Sequence, residues 1–331
     1  MPVAEVGYAE ATWILVVKSL VIFGVIFAVL PLLTVLERKL IGRFQHRYGP
    51  NRVGPYGLLQ PLADVGKLLS KQPFRPDAAV PALFVLGPVL PVLSAVLALA
   101  IIPFGDVQGG VGFYGIDVSV GILYFFAVGS LAFYGVLLGG WSSGSKYSFL
   151  GAMRGAAQLI SYEIAMGLAL LGVVMMAGSL SLVDIVKSQN EVWFVAPQVV
   201  GFLIFMVAGF AETNRAPFDL PEADAELVQG YQTEYGGMRF GTFLLVEYLE
   251  ILVVAGIAAA MFLGGWMGPG PAWLDPLWML AKMMVLVLFF IWVRATLPRL
   301  RYDQLMSLGW KVLLPIATLN VLVTAVLVVI A

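Results

Sequence analysis

Apolar residues fill this chain in long unbroken runs, and nearly all the charge is gathered into the stretches between them. Eight runs reach the roughly 20 residues that a helix needs to cross a bilayer. They lie near 12–36, 80–103, 118–140, 156–178, 191–213, 241–264, 275–297 and 308–330. In hydrocarbon a chain must satisfy its own backbone hydrogen bonds, and continuous runs of this length do so as helices. The pattern predicts an all-α integral membrane protein, one membrane domain over 1–331. Between the first two runs the period changes. Pro50, Pro55 and Pro61, with Gly49, Gly54 and Gly57, mark turns. Leu58, Leu59, Leu62, Val65, Leu68 and Leu69 then recur at helical spacing, with Asp64, Lys67 and Lys71 on the other side. That is an amphipathic helix lying in the membrane surface. A further short helix is predicted from 219. Asp219 caps it, Pro221 suits its first turn and Glu222 stands three residues after the cap. Such a helix would set Glu222 and Glu226 one turn apart on one face, where like charges couple their protonation.

Only 12% of the 331 residues are charged, against roughly 25% in a soluble domain, so no soluble domain is expected. The first connection holds Arg38, Lys39, Arg43, Arg47, Arg52, Lys67, Lys71 and Arg75. The later odd-numbered connections add Lys146 and Arg154, Arg215 and Arg239, and Arg299 and Arg301; the even-numbered ones hold only Lys187. By the positive-inside rule the odd connections are cytoplasmic, and with eight spans both termini lie outside. The first run follows Glu5 and Glu10 without a basic leader, which reads as an anchor and not a cleaved signal. The absence of Cys excludes disulfides, thiolate catalysis and Cys-held iron–sulfur clusters from this chain. The single His46 argues against haem or a His-rich metal site, so no metal is expected. No phosphate-binding loop or dinucleotide fingerprint occurs. The basic residues track topology and give no sign of nucleic acid.

Carboxylates carry the candidate chemistry. Residues 212–234, ETNRAPFDLPEADAELVQGYQTE, hold six of the chain's twenty acids. Glu163 lies inside the fourth run; Glu247 and Glu250 lie one turn apart in the sixth. Glu37 closes the first run and Glu212 the fifth. Ionisable groups within a bilayer cost about 2.5–3.5 kcal/mol each on insertion scales unless they find partners or water. A line of acids is therefore expected to handle protons, with Glu37, Glu163, Glu212, Glu247, Glu250, Asp219, Glu222, Glu226 and Glu234 as its members. The alternative is structural ion pairing, Glu37 with Arg38 and Glu212 with Arg215. Arg38, Arg294 and Arg299 sit at helix ends, where topology alone would place them or where they line a polar mouth. Lys18 and Lys282 are expected to snorkel to the outer surface.

Four stretches resemble one family. ERKLIGRFQHRYGPNRVGPYGLLQPLADVGKLLSK resembles the first cytoplasmic connection of the H-type membrane subunit of the bacterial proton-pumping NADH:quinone oxidoreductase, the counterpart of subunit 1 of mitochondrial respiratory complex I. GWSSGSKYSFLGAMRGAAQLISYE resembles that family's entry into its fourth helix. AETNRAPFDLPEADAELVQGYQTEYGGM resembles its third cytoplasmic connection, and RATLPRLRYDQLMSLGWK its last. The resemblance runs from about residue 13 to the C-terminus. One departure is Asp224, where the family usually has Glu; the charge stays and the reach shortens by one methylene. His46 occupies a position that the family varies.

The resemblance implies a subunit of a proton-translocating enzyme of the respiratory chain in the bacterial inner (plasma) membrane, joining the membrane arm to the hydrophilic arm. Its cytoplasmic helix ends would form much of a quinone tunnel, for ubiquinone or menaquinone. Glu37, Arg38, Asp64, Lys67, Arg215, Asp219, Arg294 and Arg299 would line or flank that tunnel. Phe44, Leu58 and Phe218 suit its walls. Glu163, Glu212, Glu222, Glu226 and Glu247 would form the proton path. The flavin, the iron–sulfur clusters and the groups that bind the quinone head would belong to soluble partner subunits. This chain alone would catalyse nothing; other membrane-arm subunits and lipid would surround it. Three alternatives remain open on the residues: the membrane subunit of a related hydrogenase or formate-oxidising complex, a stand-alone proton or cation transporter, and a docking scaffold with no part in proton transfer.

Overall fold

A computed structural model describes residues 12–108, 111–222 and 224–330; Glu5 and Glu10 lie outside the described residues. The described chain is helical apart from connections and one small hairpin. In order it forms α1 (Thr12–Phe44), α2 (Gln60–Ser70), α3 (Pro81–Ala100), the two-residue strands β1 (Val107–Gln108) and β2 (Val111–Gly112), and α4 (Gly121–Ser142). Then follow α5 (Lys146–Ala177), α6 (Leu182–Ser188), α7 (Val199–Glu212), the single turn α8 (Asp224–Leu227), α9 (Met238–Phe262), α10 (Asp275–Thr296), α11 (Tyr302–Leu308) and α12 (Leu314–Ile330). A π-helical turn, Gly309–Leu313, joins the last two. Seven helices among the described residues are long and apolar enough to cross a membrane, and the chain is a multi-pass membrane protein.

Three expected boundaries move. α1 runs eight residues beyond 36, so Glu37 lies two turns inside the helix and not at its end. α5 begins at Lys146, ten residues before the expected 156. Glu163 is then about 26 Å along that helix at 1.5 Å per residue, near its middle, where a start at 156 would have left it roughly 10 Å deep. Hydropathy marks where side chains stop being apolar, while backbone hydrogen bonding continues through ERKLIGR and KYSFLGAMRG. The run at 191–213 shortens to the 14-residue α7, about 21 Å long against a hydrocarbon core of ~30 Å. Pro197 lacks the N–H an earlier helix would need, and residues 194–198 form turns instead. The amphipathic helix appears as expected, as α2, with Leu62, Val65 and Leu69 of its apolar face exposed.

α3 lies along α4; α5 packs between α4 and α7, and α9 packs against α3 and α10. α12 lies outside α5. Lipid is as apolar as leucine, so close packing of small residues must hold such helices together. From Ile251 to Phe262 every residue of α9 is buried, including Ala255, Gly256, Ala258, Ala259 and Ala260. Between α3 and α4, Gly87 faces Gly139, and a Cβ on Gly87 would come within 2.8 Å of the Gly139 Cα. The core forms one large cluster with a satellite around Phe84, Tyr231, Tyr235 and Phe243.

Candidate functional site

One buried guanidinium organises the long charged connections. Gln158 of α5 is fully buried. Its amide donates to the carbonyls of Ala211 at 2.7 Å and Phe218 at 2.8 Å, and to Asn214 Oδ1 at 3.3 Å. These bonds fold residues 211–218 back against the bundle and turn Arg215 inward. Arg215 Nη1 donates to Glu37 Oε2 at 2.7 Å, and Arg294 Nη1 donates to Glu37 Oε1. Arg215 Nη2 lies 3.6 Å from Glu247 Oε2, and the guanidinium stands 4.2 Å from the centre of the Tyr248 ring. Burial disfavours the Arg215 charge, but Glu37 and Glu247 outweigh it and hold the proton more firmly than usual. The expected pairs Glu37–Arg38 and Glu212–Arg215 do not form; each arginine reaches a carboxylate distant in sequence.

Beyond this cluster the acids continue without cations. Glu163 of α5, Glu212 at the end of α7 and Glu250 of α9 line one cavity of about 40 Å³, with Ser94 and Gly129 among its walls and no Lys or Arg. A water needs about 10–15 Å³ of such space and polar partners, so the cavity has room for about three. Glu212 Oε2 and Glu247 Oε1 are shielded from solvent and have no hydrogen-bond partner among the described residues. Buried carboxylate oxygens of this kind call for water or a proton. Gly129 leaves the space open; a Cβ there would lie 3.8 Å from Glu212 Oε1. Glu250 sits one turn from Glu247, so the row Glu37, Arg215, Glu247, Glu250, Glu212, Glu163 crosses from the connections into the bundle.

Glu222 and Glu226 separate. The helix expected from Asp219 shrinks to α8, and Glu222 precedes it. Residues 220–222 form turns instead, and the Pro221 carbonyl lies against Gly230, whose φ is 52°. Glu222 Oε1 accepts from Gln232 Nε2 at 2.5 Å, and the same amide donates to Tyr231 Oη at 2.9 Å. Burial first, then the charges of Glu222, Glu247 and Glu250, raise the Tyr231 pKa well above the ordinary phenol value, although the Gln232 bond opposes them. Glu226 is exposed and pairs with Arg154 at 2.6 Å. That hydrogen bond and the charges of Arg154, Arg299 and Arg301 hold its pKa low. It shares no face with Glu222.

Arg38 pairs with Asp64 at 2.7 Å, with Gln60 and Lys67 also on that carboxylate, which ties α2 to the end of α1. Asp219 is half-buried, and Arg299 lies on the Glu226 side, apart from Glu37. Phe218 faces an apolar cleft of about 610 Å³ between α7, α10 and the start of the last helix, whereas Phe44 and Leu58 are exposed near α2. Lys282 ends on the Gly265 and Met267 carbonyls of the 263–271 connection, and Lys18 over the Tyr114 ring. A sequence reading that weighs only acids and bases misses Gln158 and Gln232; a glutamine inside a membrane-length helix is the signal that could have found the first.

The family model described as NADH dehydrogenase matches residues 17–325. A Geobacter sulfurreducens protein, named as the second H-type subunit of NADH-quinone oxidoreductase, is 54% identical over 93% of this chain and 94% of its own length. This chain belongs to that H-type subunit family. The second H-type subunit of Syntrophobacter fumaroxidans is 50% identical over 94% of this chain and 95% of its own. For the H-type subunit of Rhodospirillum rubrum the identity is 47%, over 96% and 95%.

Proposed function

We propose that this chain forms much of the quinone tunnel of an NADH:quinone oxidoreductase and couples quinone reduction to proton translocation through its buried carboxylates. The observation that carries the reading is the cation-free cavity shared by Glu163, Glu212 and Glu250, joined through Glu247 to the Arg215–Glu37 cluster. Partner subunits deliver two electrons to the quinone head, which takes up two protons to become the quinol. The change of charge at Glu37, Arg215 and Arg294 disturbs the neighbouring Glu247, and coupled carboxylates titrate as a group, so the disturbance travels along the row. Waters in the cavity carry the proton between Glu250, Glu212 and Glu163. Arg38, Asp64 and Lys67 flank the tunnel where α2 meets α1, and the apolar face of α2 with Phe44 suits an isoprenoid tail. Glu222 joins the row through Gln232 and Tyr231.

In this reading the protein is a single membrane domain in the bacterial inner membrane. Its long charged connections are cytoplasmic, where the hydrophilic arm docks, and its termini are outside. Flavin, iron–sulfur clusters and NADH belong to partner subunits. The test uses the assembled enzyme in liposomes. Glu163→Gln and Glu212→Gln keep shape and remove charge. Each should lower quinone reductase activity or the number of protons moved per electron. Wild-type rate and stoichiometry in both variants would overturn the proposal.

A further inference from the structure

The middle of α3 and the start of α9 leave an apolar groove of about 450 Å³, walled by Val85, Val89, Leu93 and Val96, with Met238 and Arg239 at one end. Val85, Val89 and Leu93 are each close to half exposed. From Val85 to Val96 the wall is about 16 Å long at 1.5 Å per residue, one leaflet's share of a ~30 Å hydrocarbon core. The polar end is built. The Arg239 guanidinium lies 5.4 Å from the centre of the Phe84 ring, and Phe84 stacks on Tyr235 at 4.1 Å. Cation–π contact fixes the charge at the groove mouth. Arg239 makes no salt bridge among the described residues. Lys71, the residue that follows α2, runs beside Gly237, where a Cβ would lie 3.7 Å from the Lys71 Cβ. It too has no carboxylate partner among the described residues. The exposed apolar face of α2 places this end at the level of lipid headgroups.

We propose that the groove is a binding site for an anionic phospholipid, its phosphate on Arg239 and Lys71 and one acyl chain along Val85–Val96. Arg239 and Lys71, without a carboxylate partner among the described residues, offer an anion a charge complement that a neutral quinone head or an apolar helix of a neighbouring subunit would not use. The depth of one leaflet suits a single acyl chain, whereas a spanning helix needs twice that. This site does not depend on the proton path.

The test is photolabelling of the assembled complex in nanodiscs, with phosphatidylglycerol or phosphatidylcholine carrying a photoactivatable acyl chain, followed by peptide mapping. Phosphatidylglycerol should label residues 81–100 more strongly than phosphatidylcholine. Arg239→Gln should lower that labelling about five-fold, the factor that ~1 kcal/mol per basic residue near an anionic surface implies. Labelling of α12, the internal control, should not change. Val89→Trp, which fills the groove, should abolish labelling there with both lipids. If Arg239→Gln does not assemble, Lys71→Gln gives the same readout. Equal labelling by the two lipids that neither charge variant alters would mean ordinary surrounding lipid and overturn the proposal. An unlabelled α3 in the wild type would mean that a neighbouring subunit covers the groove, and would overturn it as well.

Discussion

Arg215 serves two carboxylates while nearly sealed from solvent, its side chain 5% exposed and that of Glu37 3%. Removing one member of a buried pair costs about 3–5 kcal/mol where the other is left charged without compensation; Arg294 still reaches Glu37, so the loss here is smaller. Arg215→Met should lower the thermal stability of the assembled enzyme, and Glu37→Gln added to it should recover part of the loss. An unchanged melting temperature in the single variant would show that Glu37 does not depend on Arg215. Asp64 behaves differently because it is partly exposed. Burial raises its pKa, but hydrogen bonds from Arg38 and Gln60 and the charges of Arg38 and Lys67 prevail, so the folded value lies below the ordinary one. A depressed carboxylate stabilises above its unfolded pKa, about 3.9 for Asp, and the contribution is lost as pH falls through the folded value. The size is below about 1 kcal/mol for a solvated pair. The protection of α2 amides, exchange corrected for its intrinsic pH dependence, should fall below about pH 4 in the wild type, and Asp64→Asn should show that lowered protection at every pH.

At the scale of elements, single side chains hold helices and connections in place. Gln158 satisfies two backbone carbonyls of the 211–218 segment. Gln158→Leu would remove both bonds, at about 0.5–1.5 kcal/mol each, and leave these carbonyls only the local bonds from Asn214 and Leu220. Limited proteolysis should then cut between 213 and 222, where the wild type resists. α12 offers a second case. Gln198, before α7, donates to Thr324 at 2.6 Å and accepts from Asn320 at 2.8 Å, while Tyr162 donates to the Leu305 carbonyl at 2.9 Å. Burying apolar area adds little between helices in lipid, which is as apolar as they are, so these polar contacts join close packing in setting how firmly the outer helix sits. Gln198→Leu should raise hydrogen exchange in 314–330 and leave α9 protected; faster exchange in both would mean that the clasp supports the whole bundle.

Across the whole molecule, the acids that share a cavity come from three helices, α5, α7 and α9, and not from any one of them. Gly129→Val would fill the wall beside Glu212 while leaving every carboxylate in place. Proton translocation per electron should drop with quinone reduction retained or slowed. Unaltered pumping would mean that water in this cavity is not part of the path. Much of this arrangement is legible in the sequence. Apolar runs disclose the spans and the leucine period discloses α2, because bilayer thickness and backbone hydrogen bonding leave few alternatives. Glu163 and Glu247 stand out as acids in oily surroundings. Their partners do not, since Glu37 meets Arg215 and Arg294 across 178 and 257 residues of chain. Local capping signals predict a helix from Asp219, whereas residues 220–222 form turns and α8 starts at Asp224.

By itself the sequence determined that this is an all-helical membrane protein, which face carries the charge and which acids sit in apolar helices. Those are properties of composition and local periodicity, set by the solvent around each segment. Only the tertiary structure decided which acids share a cavity, which share a cation and which face solvent. Helices hundreds of residues apart converge there, and burial and proximity arise only when they pack.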